Sequence, residues 1–327
     1  MTRRSNAAVV ALAFMAFIII GFTAGISGVA WPSMRDTFGV TQDAIGALLM
    51  LSTVGALAMN INSGRLIANI GLGVLLLLGC ILAGFGYLGY SLAPTWWVLV
   101  AFGLVAAIGS TGLIAGLNTY FAINQTARLM IWLQACFGLG AVVSPTVITS
   151  LLNKGYTWRW AYVLVVFFLA GLAVGLALTL RGWRLAQPAQ RNESASLDTN
   201  AEDASDGPVT PRATATGSSH MLNMPAIWLS LLLFFVLTGM ESSAAQWPYT
   251  LFTEGRNIDP RVAGLWMSLF WASLTAGRLF FGFVVNRIGA VPLVRITMIG
   301  VILGAALLWW NISDVLSFLG FALIGFA

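Results

Sequence analysis

The chain has 327 residues, of which 59% are hydrophobic and only 8% charged. Soluble domains carry about 25% charged residues, so this chain is too poor in charge to cover a water-facing surface, and its main solvent is lipid. The net charge of +5 comes from basic residues set singly between apolar runs, a pattern of membrane topology that speaks against nucleic-acid binding.

A bilayer core about 30 Å thick needs about 20 apolar residues in helical form. The first such run follows Thr2, Arg3 and Arg4 and extends from Ala7 to about Trp31. A cleavable signal has a core of only about 7–15 residues, so this run stays as the first span. Further runs lie near 44–66, 72–92, 96–122, 129–152 and 160–180. These six make a first half, residues 1–181. Residues 182–224 are rich in Ser, Thr, Ala and Pro, with Glu193, Asp198, Glu202, Asp203 and Asp206 clustered. With no apolar period, the segment reads as a disordered cytoplasmic linker. Residues 225–327 form the second half, with runs near 227–252, 262–285, 292–310 and 315–327. The last run has 13 residues, or about 20 Å of helix, and stops inside a span. The fold class is therefore an all-α polytopic bundle of nine spans and part of a tenth.

Alternating spans sort the basic residues. With the N-terminus in the cytoplasm, Arg3, Arg4, Arg128, Arg181, Arg184, Arg287 and Arg295 fall inside, while Arg35, Lys154, Arg159, Arg256 and Arg261 fall outside. Trp31, Trp96, Trp97, Trp158, Trp160, Trp309 and Trp310 all fall near the outer boundary, where amphipathic rings prefer to sit.

Metal and cofactor chemistry have no foothold in the sequence. Cys80 and Cys136 lie in apolar runs without CxxC spacing, and the one histidine, His220, cannot complete a ligand set. No serine–histidine–acid set or phosphate loop points to an enzyme.

An internal repeat ties the halves together. A shift of 218 lays residues 46–71 on 264–289, so that Gly46, Gly64 and Gly71 meet Gly264, Gly282 and Gly289, and Leu51, Ala58 and Ile70 also meet identical residues. Two parallel halves joined by a polar linker are the build of one large transporter class. Here the chain resembles the major facilitator superfamily, whose signature is Gly-x3-Asp-Arg-x-Gly-Arg in the turn after the second span, with an echo after the eighth. The echo is the better kept, as Gly282, Asn286, Arg287 and Gly289, whereas the first copy keeps Gly64 and Gly71 but has Ala68 and Asn69 between them. The resemblance implies that these turns, with Arg278, serve gating and structure.

Within the superfamily the likeness is to fucose-permease-like sugar/proton symporters. Gly116 to Tyr120, Gln134 to Gly140, Glu241 through Trp247, Ala263 to Trp266, and Gly277-Arg278 carry it. That resemblance implies a monomer in the cytoplasmic membrane, moving a small sugar-like solute with protons by alternating access. It also implies a sugar-binding role for Gln134. Where the family couples protons through carboxylates in the first and fourth spans, this chain has Gly28 and Asn118, which carry no proton.

Glu241 is the one acid in the interior of a span. A carboxylate at mid-membrane costs several kcal/mol on insertion scales, so it belongs beside a cavity or a partner. It lies about 22 Å into its helix, and Thr238, Ser242, Ala245 and Tyr249 share its face at helical spacing. Desolvation favours its protonated form, as a proton carrier requires; a structural glutamate bonded across helices is the alternative. Arg278 lies about 14 Å shallower on a helix of opposite direction, beyond direct pairing, and snorkels or ties the inner turn. Asn118, Gln134 and Gln246 donate and accept, which suits a hydroxylated solute or bonding between helices. Trp247 and Trp271 could stack on a sugar's apolar face or simply pack. Asn60 and Asn62 flank the expected cavity. Gly140, Ser144 and Pro145 partly match a drug-antiporter motif, which leaves export of amphipathic compounds as the competing transport reading, and a non-transporting membrane protein as another.

Overall fold

The computed structural model describes residues 2–184 and 225–327. Residues 185–224, most of the expected linker, lie outside them. Six long helices come first: α1 (Thr2–Phe38), α2 (Ile45–Ile70), α3 (Leu72–Leu92), α4 (Trp96–Asn124), α5 (Ala127–Asn153) and α6 (Arg159–Arg184). After the gap come α7 (Pro225–Gln246), α8 (Pro260–Ile288), α9 (Ala290–Trp310) and α10 (Asp314–Phe326). Eight stretches of the described residues are long and apolar enough to cross a bilayer, and the 22-residue α7 adds about 33 Å of helix. The helices coincide with the apolar runs because a backbone in lipid must satisfy its hydrogen bonds within the segment.

Residues 2–184 and 245–327 form one compact unit, and residues 225–244 belong to a second. In the first unit helices meet through small residues. A Cβ on Gly21 would lie 1.9 Å from the Phe137 carbonyl oxygen, and one on Gly140 would lie 2.0 Å from that of Ile18. The α1 and α5 backbones thus touch, the packing that replaces the hydrophobic effect between helices in lipid. α3 and α4 meet likewise, Gly86 on Ala106 and Gly109 on Ala83. α9 and α10 cross with Gly304 and Gly320 face to face, a Cβ on either falling 2.6 Å from the other's carbonyl oxygen.

Strict alternation puts Arg35, Lys154, Arg159, Arg256 and Arg261 at the end of this unit away from the N-terminus. The tryptophans at that end divide. Trp97, Trp160, Trp309 and Trp310 are exposed, as an interfacial belt requires. Trp31, Trp96 and Trp158 are buried instead and pack through Phe38 into an aromatic cluster reaching Tyr162, Tyr90 and Tyr87. Sequence position fixed their depth, but helix rotation decided which ring met lipid.

Two guanidiniums stake helix ends here. Arg159 donates to the carbonyls of Ser91 and Ala93 at 2.8 Å each, closing the C-terminus of α3, and lies 5.1 Å over the Trp158 ring. Arg256 donates to the Leu308 carbonyl in the last turn of α9 and stands over Phe252. Cations at helix C-termini oppose the negative end of the dipole. At the opposite end α6 runs on through Arg184, and buried Trp183 packs edge-on against Tyr120 with ring centroids 4.8 Å apart. The thiols of Cys80 and Cys136 are free.

Candidate functional site

The repeat turns take one conformation twice. Gly71 has φ 83° and ψ 154° as it opens α3, and Gly289 has φ 87° and ψ 158° as it opens α9. Backbone of this kind is nearly confined to glycine, which accounts for a glycine at both registered positions. Gly64 and Gly282 also agree, since a Cβ at either would meet nothing within 4 Å. Arg287 is exposed, and the Asn286 side chain lies outside the described residues.

Two junctions join the six-helix half to residues 245–327. The first brings α1 to the end of α7. The Ser27 hydroxyl donates to Gln246 Oε1 at 3.1 Å, and Gln246 is buried. Beside it a Cβ on Gly28 would fall 2.4 Å from the Ala245 carbonyl oxygen. Position 28 is therefore filled by the backbone of α7, and no carboxylate fits there without displacing that helix. Two turns further on, Arg35 donates to Glu254 Oε2 at 2.8 Å and to Gln42 at 2.9 Å. Its partner follows a break: Pro248 has no N–H and its ring opposes the preceding turn, so α7 stops at Gln246. A single turn, Pro248–Thr250, and a π turn, Leu251–Gly255, complete the segment.

The second junction is the antiparallel seam of α5 on α8. Gly264 sits on Thr149 and Gly138 on Thr275, and Cβ atoms at the two glycines would lie 2.2 and 2.0 Å from the threonine hydroxyls. Between them Thr146 and Ser268 share a hydrogen bond of 2.8 Å. Beyond Gly138, toward the N-terminal end, the seam parts into a cavity of about 160 Å3 lined by Ile131, Gln134, Ala135, Thr275, Arg278 and Leu279. Gln134 Nε2 points to Asn118 Oδ1 of α4 at 3.5 Å, a long hydrogen bond. One turn away Trp271 is buried with its ring 6.2 Å from that of Phe137, and its indole N–H has no acceptor among the described residues.

The candidates thus fall into groups. Asn118, Gln134 and Arg278 gather at the cavity, with Trp271 adjoining it. Gln246 belongs to the α1 junction. Tyr249 is buried in the single turn after the break, whereas Trp247 is 38% exposed. Glu241 lies on α7, sixteen residues past Pro225 and about 24 Å from its start. Its stripe with Thr238 and Ala245 ends at the Pro248 break before reaching Tyr249. Asn60 and Asn62 of α2 are exposed. Ser27, Arg35 and Glu254 escaped sequence reasoning: the two bonds each link positions 219 residues apart, and no local pattern marks them.

Two sets of membrane helices that repeat one glycine turn are the build of one large transporter class. Residues 13–327 match the model of the Major Facilitator Superfamily, and the chain belongs to that family. Solved structures agree in fold. The E. coli xylose transporter XylE, in a partially occluded inward-open conformation, superposes with a TM-score of 0.74 at 13% identity, over 97% of this chain and 83% of that one. The human organic anion transporter MFSD10 (TETRAN) gives 0.62 at 15%, over 98% of this chain and 82% of that one. Among curated proteins, yeast (Saccharomyces cerevisiae) "Bypass of stop codon protein 6" is 24% identical over 166 residues, covering 49% of this chain. That match spans 33% of the relative's own length.

Proposed function

We propose that the protein is a secondary transporter of the cytoplasmic membrane, acting as a monomer with its N-terminus inside. It moves a small sugar-like solute by alternating access, coupled to protons through Glu241. The observation that carries this reading is the polar cluster at the seam's inner opening. Asn118, Gln134, Thr275 and Arg278 offer donors and acceptors, and Ile131 and Leu279 offer an apolar wall. That mixture suits a molecule with hydroxyl edges and C–H faces. The unpartnered Trp271 indole supplies one more donor nearby. A volume of about 160 Å3 lies below the roughly 300–1,000 Å3 of drug-sized sites, which favours a small solute over a bulkier amphipathic one. Coupling falls to Glu241 because helix backbone occupies position 28 and Asn118 holds the fourth-span place.

Uptake of a labelled aldose by cells or proteoliposomes tests the proposal. Accumulation collapses with a protonophore, and Glu241→Gln lowers the proton-driven initial rate at least about tenfold while leaving counterflow intact, because exchange needs no net proton movement. Wild-type accumulation in Glu241→Gln removes that residue from coupling. Accumulation that rises on de-energising marks export instead.

A further inference from the structure

We propose that the outer end of the α5–α8 seam holds the phosphate headgroup of an anionic phospholipid. A cavity of about 290 Å3 opens there, distinct from the inner one and lined by Thr146, Ser150, Asn153 and Lys154 of α5 and by Arg261 of α8, with Thr149 at its floor. Two cations line it and no carboxylate does. Among the described residues neither Lys154 nor Arg261 enters a salt bridge. The nearest acid in sequence, Asp259, turns its Oδ1 to the Arg261 backbone N–H at 2.8 Å. The carbonyls at the end of α5, Ser150 to Leu152, are taken by the amides of Lys154, Gly155 and Tyr156, so they add little negative potential. The sum is a small basic recess with neutral hydroxyls and an amide around it.

Its depth and its flank point to lipid. Tyr156 and Trp160, 51% and 54% exposed, stand just past Lys154 and mark the level where headgroups begin. Along one face of α5 the exposed side chains run Leu139, Val143, Thr146, Ser150, at helical spacing, before Lys154 ends the helix. The stripe is apolar toward the bilayer centre, hydroxylated above, and cationic at the rim. Leu265 lines the opposite wall and is 52% exposed. An acyl chain, a glycerol backbone and a phosphate follow the same order. A soluble anion would use the basic rim but gain nothing from the apolar approach, so the lipid is the favoured occupant.

Attraction of an anionic surface to one basic residue is worth about 1 kcal/mol, so each cation contributes about fivefold in affinity and the pair about thirtyfold. The test is native mass spectrometry and thermal unfolding of the full-length protein in mild detergent. The additives are phosphatidylglycerol, phosphatidylcholine or glycerol 3-phosphate. Phosphatidylglycerol binds preferentially and raises Tm. Lys154→Gln with Arg261→Gln lowers that preference at least tenfold, while Arg65→Gln, near the C-terminus of α2 and away from the recess, leaves it in place. Each of these side chains is exposed, and a matching elution profile shows that the variants fold. Ser150→Leu, which keeps both cations but blocks the recess, weakens phosphatidylglycerol and spares general lipid adhesion. Equal response to the two phospholipids, or full preference in the double variant, overturns the proposal. Saturation by glycerol 3-phosphate at the concentration where the lipid saturates assigns the recess to a soluble anion and overturns it as well.

Discussion

The α1–α7 junction and the α5–α8 seam join the same two parts of the chain by opposite means. The first rests on a hydroxyl–amide bond, one glycine against a carbonyl, and an ion pair with 22% and 41% exposed side chains. All of these lie in the half of the bundle away from the N-terminus. The seam instead interlocks two glycine–threonine contacts, each pair offset by eleven residues along its helix, about 16 Å of continuous packing. A part-exposed ion pair such as Arg35–Glu254 re-forms with water at little cost, whereas glycines interlocked with side chains along a seam have no such substitute in lipid. The polar contacts of the junction exchange more easily, and the seam is the more firmly interlocked.

Breaking the seam carries the largest expected effect. Gly138→Val drives branched carbon into Thr275, whose hydroxyl is already held by the Trp271 carbonyl at 2.8 Å. Overpacking of this kind costs about 1–3 kcal/mol, read as a lower Tm in detergent. Thr275→Ala in the same chain should restore part of it, and purely additive losses would separate the two residues. Next comes Gly28→Asp. A side chain there displaces the Ala245 carbonyl, so the junction opens without unfolding. Spin labels on Thr41 and Asn257 should move apart by several ångströms, and an unchanged distance distribution would falsify the claim that backbone fills position 28. The smallest effect belongs to Arg35 and Glu254. A double-alanine cycle should give a coupling of about 0.2–1 kcal/mol that shrinks with added salt; a coupling insensitive to salt would mean the pair is shielded in solution.

How much of this could be read from the chain depends on distance. The helices were legible because a membrane demands near-continuous apolar runs, and α3, observed as Leu72–Leu92, is the run itself. The repeat was legible because a glycine-only conformation leaves a glycine in the text, and Gly71 and Gly289 share their φ and ψ within a few degrees. Gln134 and Asn118 stood out singly as amides in oily helices, and the structure brings them to 3.5 Å. Ser27 and Gln246 did not stand out as a pair, because their meeting depends on how two helices cross 219 residues apart. Which aromatic rings face outward stayed hidden for a related reason. Trp96 and Trp97 are neighbours in sequence, yet one is 6% and the other 70% exposed, since adjacent helical residues point about 100° apart.

The guanidinium stakes on α3 and α9 have a mechanical consequence. Arg159 and Ser91 belong to one side of the seam, and Arg256 and Leu308 to the other. Neither stake crosses the α1–α7 junction or the α5–α8 seam. Each third helix is therefore pinned to its own companions, like a spoke fixed to its own wheel, and a force pulling the two parts of the chain apart would load the few contacts between wheels instead.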